Sequence, residues 1–206
     1  MFAGETAETL YNQFLNRPNK NRPLIVGLDG LGGAGKTTFV KMVKQKLKGY
    51  NCKVNIVHLD DHIVEKNKRY HTGYEEWYEF YYLQWDIDGL LNTFLKSLYN
   101  SEHLHLSFYD KSTDSISNRQ VDVLAGSIVL IEGIFLQRKE WKIFFDYVIF
   151  LNCPFELRKE RVLNRDSYIG EYQDRLKKYT ERYWLGEKHY LDTINPYSIA
   201  DLVINI

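Results

Sequence analysis

Apolar positions along this chain recur with two periods. Continuous apolar runs occupy residues 24–29, 127–131, 147–151 and 202–206, and Lys53-Val-Asn-Ile-Val-His58 reads as a further short strand. Runs of this length without polar alternation are the signature of parallel strands covered on both faces, so they predict a three-layer α/β domain around a parallel five-stranded sheet. A helical period appears over residues 6–15, where Leu10, Phe14 and Leu15 share one side and Thr6 and Glu8 stand near the start. It appears again in Phe39-Val-x-Met-Val43-x-x-x-Leu47, and over residues 77–85 and 90–98. Residues 104–109 and 115–123 alternate apolar and polar positions, which predicts a hairpin whose turn at 110–114 faces a ligand. Residues 155–190 read as mostly helical and rich in Arg, Lys and Tyr, and Asn195-Pro196 breaks the pattern before the last strand. The organisation that follows is one domain over 1–206. Residues 1–22 form an N-terminal helix and linker, 62–126 an acceptor-side insertion, and 155–190 a lid and helical region.

Size and charge narrow the function classes. With 206 residues and 44% hydrophobic content the chain can bury one substantial core. Its 27 basic and 27 acidic residues cancel, leaving no bulk field to gather nucleic acid or an anionic membrane surface. Cys52 and Cys153 are too few for a disulfide framework or a zinc site, and are expected as buried packing in a reducing compartment. No window is long and apolar enough for a membrane span, and the start has no basic n-region, so the expected place is the cytoplasm.

The first apolar run empties into Gly30-Leu-Gly-Gly-Ala-Gly35-Lys36-Thr37-Thr38, the phosphate-binding pattern G-x-x-x-x-G-K-T between a strand and a helix, and this predicts a P-loop NTPase fold. Such a loop aims backbone N–H groups into one concavity, and the helix beginning near Lys36 adds the positive end of its dipole. Gly30, Gly32, Gly33, Ala34, Gly35, Lys36, Thr37 and Thr38 are therefore the expected ATP-binding residues. Lys36 would serve the β- and γ-phosphates and Thr37 the Mg2+ shell, while Thr38 seats the loop.

In an open parallel sheet the ligand crevice lies beyond the carboxyl ends of the strands. Asp60, Asp61 and Glu132 stand just past such ends. Asp60 fits the group that orients or deprotonates an acceptor hydroxyl, with Asp61 the second candidate, and Glu132 fits a magnesium-organising carboxylate. The two aspartates also fit a turn or cap after a strand. Arg158, Arg161 and Arg165 recur at helical spacing, and as a lid Arg161 and Arg165 would neutralise charge on the transferring group. Arg175, Lys177, Lys178 and Arg182 read as a solvated face. The aromatic residues Tyr74, Trp77, Tyr78, Phe80, Tyr81, Tyr82 and Trp85 fall at helical spacing and read mostly as helix core. His103 and His105 lack a third ligand for a metal, and the six histidines offer no clear general base.

Taken together, these residues resemble the uridine kinase and phosphoribulokinase branch of P-loop kinases, with nicotinamide riboside and pantothenate kinases as relatives. The resemblance runs from Ile25 to the end. It is carried by Gly30 to Thr38, His58-Leu-Asp60-Asp61, Tyr109-Asp110, Ile131-Glu132-Gly133-Ile134, Arg161-x-x-x-Arg165-Asp166 and Ala200-Asp201-Leu-Val-Ile204. It implies ATP- and Mg2+-dependent phosphorylation of a hydroxyl on a small metabolite, a nucleoside first. It also implies Asp60 as base and metal neighbour, Glu132 as magnesium organiser, and Tyr109, Asp110 and Arg119 bordering the acceptor. Where uridine kinases follow Tyr-Asp with an aromatic residue and a histidine, this chain has Lys111, Thr113 and Asp114. In place of their Arg-Gly-Arg lid turn it has Ser167-Tyr-Ile-Gly170-Glu171. The reaction is thus better specified than the nucleobase.

Two readings from other classes stand beside the kinase. Asp86-Ile-Asp-Gly89 matches the short switch pattern D-x-x-G, which would suit a nucleotide-dependent partner switch, and a retired relative would act as a sensor. A homo-oligomer is compatible with the 6–15 helix, which can pack on its own domain or on a second copy.

Overall fold

The computed structural model describes residues 2–99 and 103–206. The five expected strands form one parallel sheet of β1 (Leu24–Gly30), β2 (Lys53–His58), β5 (Ser127–Glu132), β6 (Tyr147–Asn152) and β7 (Leu202–Asn205), in the order β2-β5-β1-β6-β7. The remaining strands, β3 (His103–Asp110) and β4 (Ser115–Asp122), pair antiparallel as the expected hairpin.

Alternation along each central strand divides the interior into two cores. Leu24, Val26 and Leu28 of β1, Ile128 and Leu130 of β5, and Ile149 and Leu151 of β6 face one layer. Ile25, Val129, Ile131 and Phe150 face the other. The first layer is covered by α2 (Lys36–Leu47), through Val40, Val43 and Leu47, and by α1 (Phe2–Asn16), through Ala3, Ala7 and Leu10. The α1 helix packs on α2 of the same chain. It starts four residues before the expected Thr6, because Ala3 and Ala7 extend the buried stripe by a turn, and Thr6 is itself buried rather than at the cap.

The second layer is built from the insertion. Phe80, Tyr81 and Trp85 are buried edge-on to Phe135, the core role expected for most of the aromatic cluster, whereas Tyr74 is exposed. The helix over 77–85 is a short α-turn, Glu76–Tyr78, that widens into a π-helical turn, Glu79–Leu83. The next helix does the same, from Ile87–Leu90 into Leu91–Leu95. Between them the Asp86 side chain accepts from Gly89 N at 2.9 Å, so Asp86-Ile-Asp-Gly89 is a helix cap and not a switch segment.

The C-terminal third contains α3 (Phe155–Arg165), α4 (Tyr172–Lys178), a π-helical turn at Tyr179–Tyr183 and α5 (Trp184–Ile194). Arg182 does not lie on a solvated face. It is fully buried, donates to Glu79 Oε2 at 2.9 Å, and also donates to the carbonyls of Arg69 and Glu76. Both members of this pair sit in π-helical turns, where the winding departs from the 3.6 period used to assign faces. Removing one member of a buried pair strands the other, so Arg182→Met is expected to lower unfolding free energy by about 3–5 kcal/mol in urea denaturation.

Candidate active site

The sheet register brings the chemistry to one edge. His58 of β2 and Leu28 of β1 both lie opposite Glu132, the last residue of β5. From β1 the chain turns through Leu31 to Gly35 into α2. Gly33 has φ +80°, and a Cβ there would come within 2.8 Å of Arg158 O, so only glycine lets α3 approach the loop this closely. Lys36 Nζ donates to Gly30 O at 2.7 Å and Leu31 O at 3.1 Å, which holds the cation across the loop's mouth. Thr37 Oγ1 donates to Glu132 Oε1 at 2.9 Å, and His58 Nδ1 lies 2.6 Å from the same oxygen.

Asp60 and Asp61 follow β2 in a single 3-10 turn, Leu59–His62. The Trp85 indole N–H donates to Leu59 O at 3.0 Å, and a Cβ on Gly133 would come within 2.6 Å of Leu59 Cβ. The turn is thereby pressed onto the end of β5, beside Glu132. Asp60 is exposed to water, yet the protein packed around its carboxyl raises it above the ordinary range. Lys36 and Arg165 oppose that shift, and the charges of Glu132 and Asp61 reinforce it. Asp61 is exposed in the same turn.

The three arginines of α3 part company. Arg158 is buried against Glu187. Arg161 is exposed and donates to Gly33 O at 3.2 Å, which places it on the loop. Arg165 is held by both oxygens of the buried Asp166, which also accepts from Tyr179, and its charge is felt at Asp60.

The hairpin flanks this group. Tyr109 OH donates to Asp114 Oδ1 at 2.9 Å and accepts from Arg69 NH2 at 3.2 Å. Asp110 accepts from the N–H and hydroxyl of Ser112 and so shapes the turn. Arg119 is exposed, with its guanidinium 4.9 Å from the Phe108 ring, and that ring packs on His62. Lys111, at the tip, lies 4.4 Å from the Tyr168 ring, so the hairpin and the 167–169 turn meet. Lys36, Thr37, Glu132, Asp60 and Asp61 thus gather at one end of the sheet, and the hairpin that carries Tyr109, Asp110 and Arg119 packs on the Leu59–His62 turn.

Sequence reasoning passed over three features. His58 stands in the strand-end motif of the sequence, but its contact with Glu132 depends on a strand register that sequence does not state. Asp29 is fully buried at the start of the loop. Its carboxylate accepts from Tyr190 OH at 2.5 Å, Gln137 Nε2 at 3.1 Å and Gly30 N at 2.8 Å. Burial raises its carboxyl, and these hydrogen bonds oppose the shift. Glu187 is the third. The free Cys52 and Cys153 are buried, as expected.

Among the described residues no group of three or more His, Cys, Asp and Glu is placed to hold a metal. The Thr37 hydroxyl and the Glu132 carboxylate are nonetheless hard oxygen donors in contact. They fit Mg2+, which takes one or two carboxylates and completes its shell with substrate phosphates and water.

Comparison with known proteins agrees with this geometry. The model of the phosphoribulokinase/uridine kinase family matches residues 25–205. A uridine kinase of Staphylococcus aureus is 26% identical over 185 residues, covering 84% of this chain and 86% of its own. The structure of a possible uridine kinase from Bacillus stearothermophilus superposes with a TM-score of 0.81 at 39% identity, covering 99% of this chain and all of its own. D-glycerate 3-kinase from Cryptococcus neoformans shares the fold, with a TM-score of 0.71 at 13% identity over 98% of this chain and 95% of its own.

Proposed function

This chain belongs to the phosphoribulokinase/uridine kinase family and is a small-molecule kinase, and on that premise we propose that it transfers the γ-phosphoryl group of ATP, with Mg2+, to a hydroxyl of a small metabolite, a nucleoside first among acceptors. The observation that carries this reading is the meeting of Lys36, Thr37, Glu132 and Asp60 at the ends of three adjacent strands.

Each residue has a task that its surroundings suit. Asp60, with its proton affinity raised, takes the acceptor proton as the hydroxyl oxygen attacks phosphorus. Lys36 exchanges two backbone carbonyls for phosphate oxygens. Thr37 and Glu132 would hold Mg2+, which when bound offsets charge on the phosphates. Arg161, beside Gly33, and Arg165, within range of Asp60, face the charge that spreads over the transferring group. Tyr109, Asp110, Arg119 and Asp61 border the acceptor. Nucleic acid is not among the proposed partners, given the balanced charge. No helix among the described residues is long and apolar enough to cross a membrane.

The test is ADP release with Mg2+ and ATP across uridine, cytidine, nicotinamide riboside, pantothenate and simple sugars. Release that depends on one acceptor class is the expected outcome. Slow release indifferent to every acceptor would overturn the transfer and favour a sensor.

A further inference from the structure

Two buried charges outside the transfer machinery reach the phosphate loop. Glu187, on α5, accepts the Gly32 N–H on Oε1 at 2.7 Å. Its Oε2 accepts from Arg158 NH1 at 2.8 Å, and the same NH1 donates to Gly32 O at 3.2 Å. Arg158 Nε also donates to Cys153 O at 3.2 Å, which fixes the arginine at the end of β6. The N–H and the C=O of one loop residue are therefore held by opposite members of one ion pair, both about 95% buried at the side chain.

The arrangement is close fitting. A Cβ on Gly32 would stand 3.0 Å from Glu187 Oε1, so the carboxylate rests directly against the loop backbone. The loop lies between β1 and α2 and has no ladder to hold Gly32, and a backbone donor and acceptor taken from water without partners would favour another loop conformation. Burial raises the Glu187 carboxyl, while Arg158, the Gly32 N–H and Lys36 favour its charged form. Among the described residues the polar partners of both side chains are the loop, Cys153 and each other, so the pair acts on the nucleotide side.

We infer that Arg158 and Glu187 are positioning residues, which clamp the Gly32 peptide and thereby set the affinity of the phosphate loop for nucleotide. The inference rests on the reading of this loop as the ATP site. Its test is direct calorimetric binding of ATP and of ADP, with Mg2+, to the full chain, beside the KM of the best acceptor. Glu187→Ala is expected to raise both nucleotide Kd values about tenfold and to leave the acceptor KM within about twofold. Glu187→Gln keeps an oxygen for the Gly32 N–H but sets an amide donor against Arg158 NH1, so it should show a smaller loss in the same nucleotide-selective direction. Arg158→Lys keeps the charge, yet one ammonium cannot reproduce the planar guanidinium's several fixed donors, so it should show the same nucleotide-selective loss. Should the alanine variant fail to fold, the Gln and Lys variants decide. Unchanged nucleotide Kd in folded Glu187→Ala or Arg158→Lys, or equal losses for nucleotide and acceptor, would overturn the clamp. A wild-type chain that binds neither ATP nor ADP would instead remove the nucleotide reading beneath it.

Discussion

Asp60→Asn lowers turnover by about 10²- to 10⁴-fold and leaves ATP affinity nearly unchanged, the expected result if Asp60 takes the acceptor proton. The asparagine is almost the same size, so the 3-10 turn held by Trp85 and Gly133 should survive the change. What it removes is a carboxylate whose proton affinity is raised by desolvation and by the neighbouring Glu132 and Asp61. Asp61 shares the turn and is the natural control. If Asp61→Asn carries the large loss and Asp60→Asn does not, the base is Asp61. Steady-state kinetics of both variants, with direct ATP binding alongside, separates the two assignments.

Lys36→Ala is expected to lower turnover by roughly 10²- to 10³-fold, the scale seen when one preorganised donor is removed from a developing charge. It should also weaken ATP binding, because the change removes the cation that now bridges Gly30 O and Leu31 O. Those two carbonyls would be left facing the loop's mouth without their donor, so both effects act in one direction. ATP affinity and rate equal to the wild type would remove the phosphate-loop assignment altogether.

The parts of the fold that sequence reveals are those whose partners are local. The runs at 24–29, 53–58, 127–131, 147–151 and 202–206 became strands with ends within a residue or so, and in the central strands β1, β5 and β6 burial on both faces leaves no room for polar alternation. Gly30 to Thr38 was equally plain, since strand, turn and helix are contiguous. The order β2-β5-β1-β6-β7 was not legible, because it depends on crossovers over long stretches. Nor were the roles of Arg182 and Arg158. Their partners Glu79 and Glu187 stand 103 and 29 residues away, and nothing near either arginine marks it as buried. For Arg182 the π-helical turn also shifts the face on which the residue falls. His58 illustrates the same limit at the site, where only the register opposite Glu132 gives it a partner.

The position of β2 at the rim of the sheet bears on how such an enzyme diversifies. Among the described residues its sole partner strand is β5, and the insertion opens directly after β2 and the Leu59–His62 turn. Strand β1, which runs into the phosphate loop, pairs with β5 and β6 and not with β2. Insertions, deletions and new hairpin tips can therefore accumulate beside Asp60 without breaking a ladder that carries Lys36 or Thr37. The scaffold separates what must stay fixed from what selection can rewrite, and proteins named for acceptors as unlike as uridine and D-glycerate share its fold.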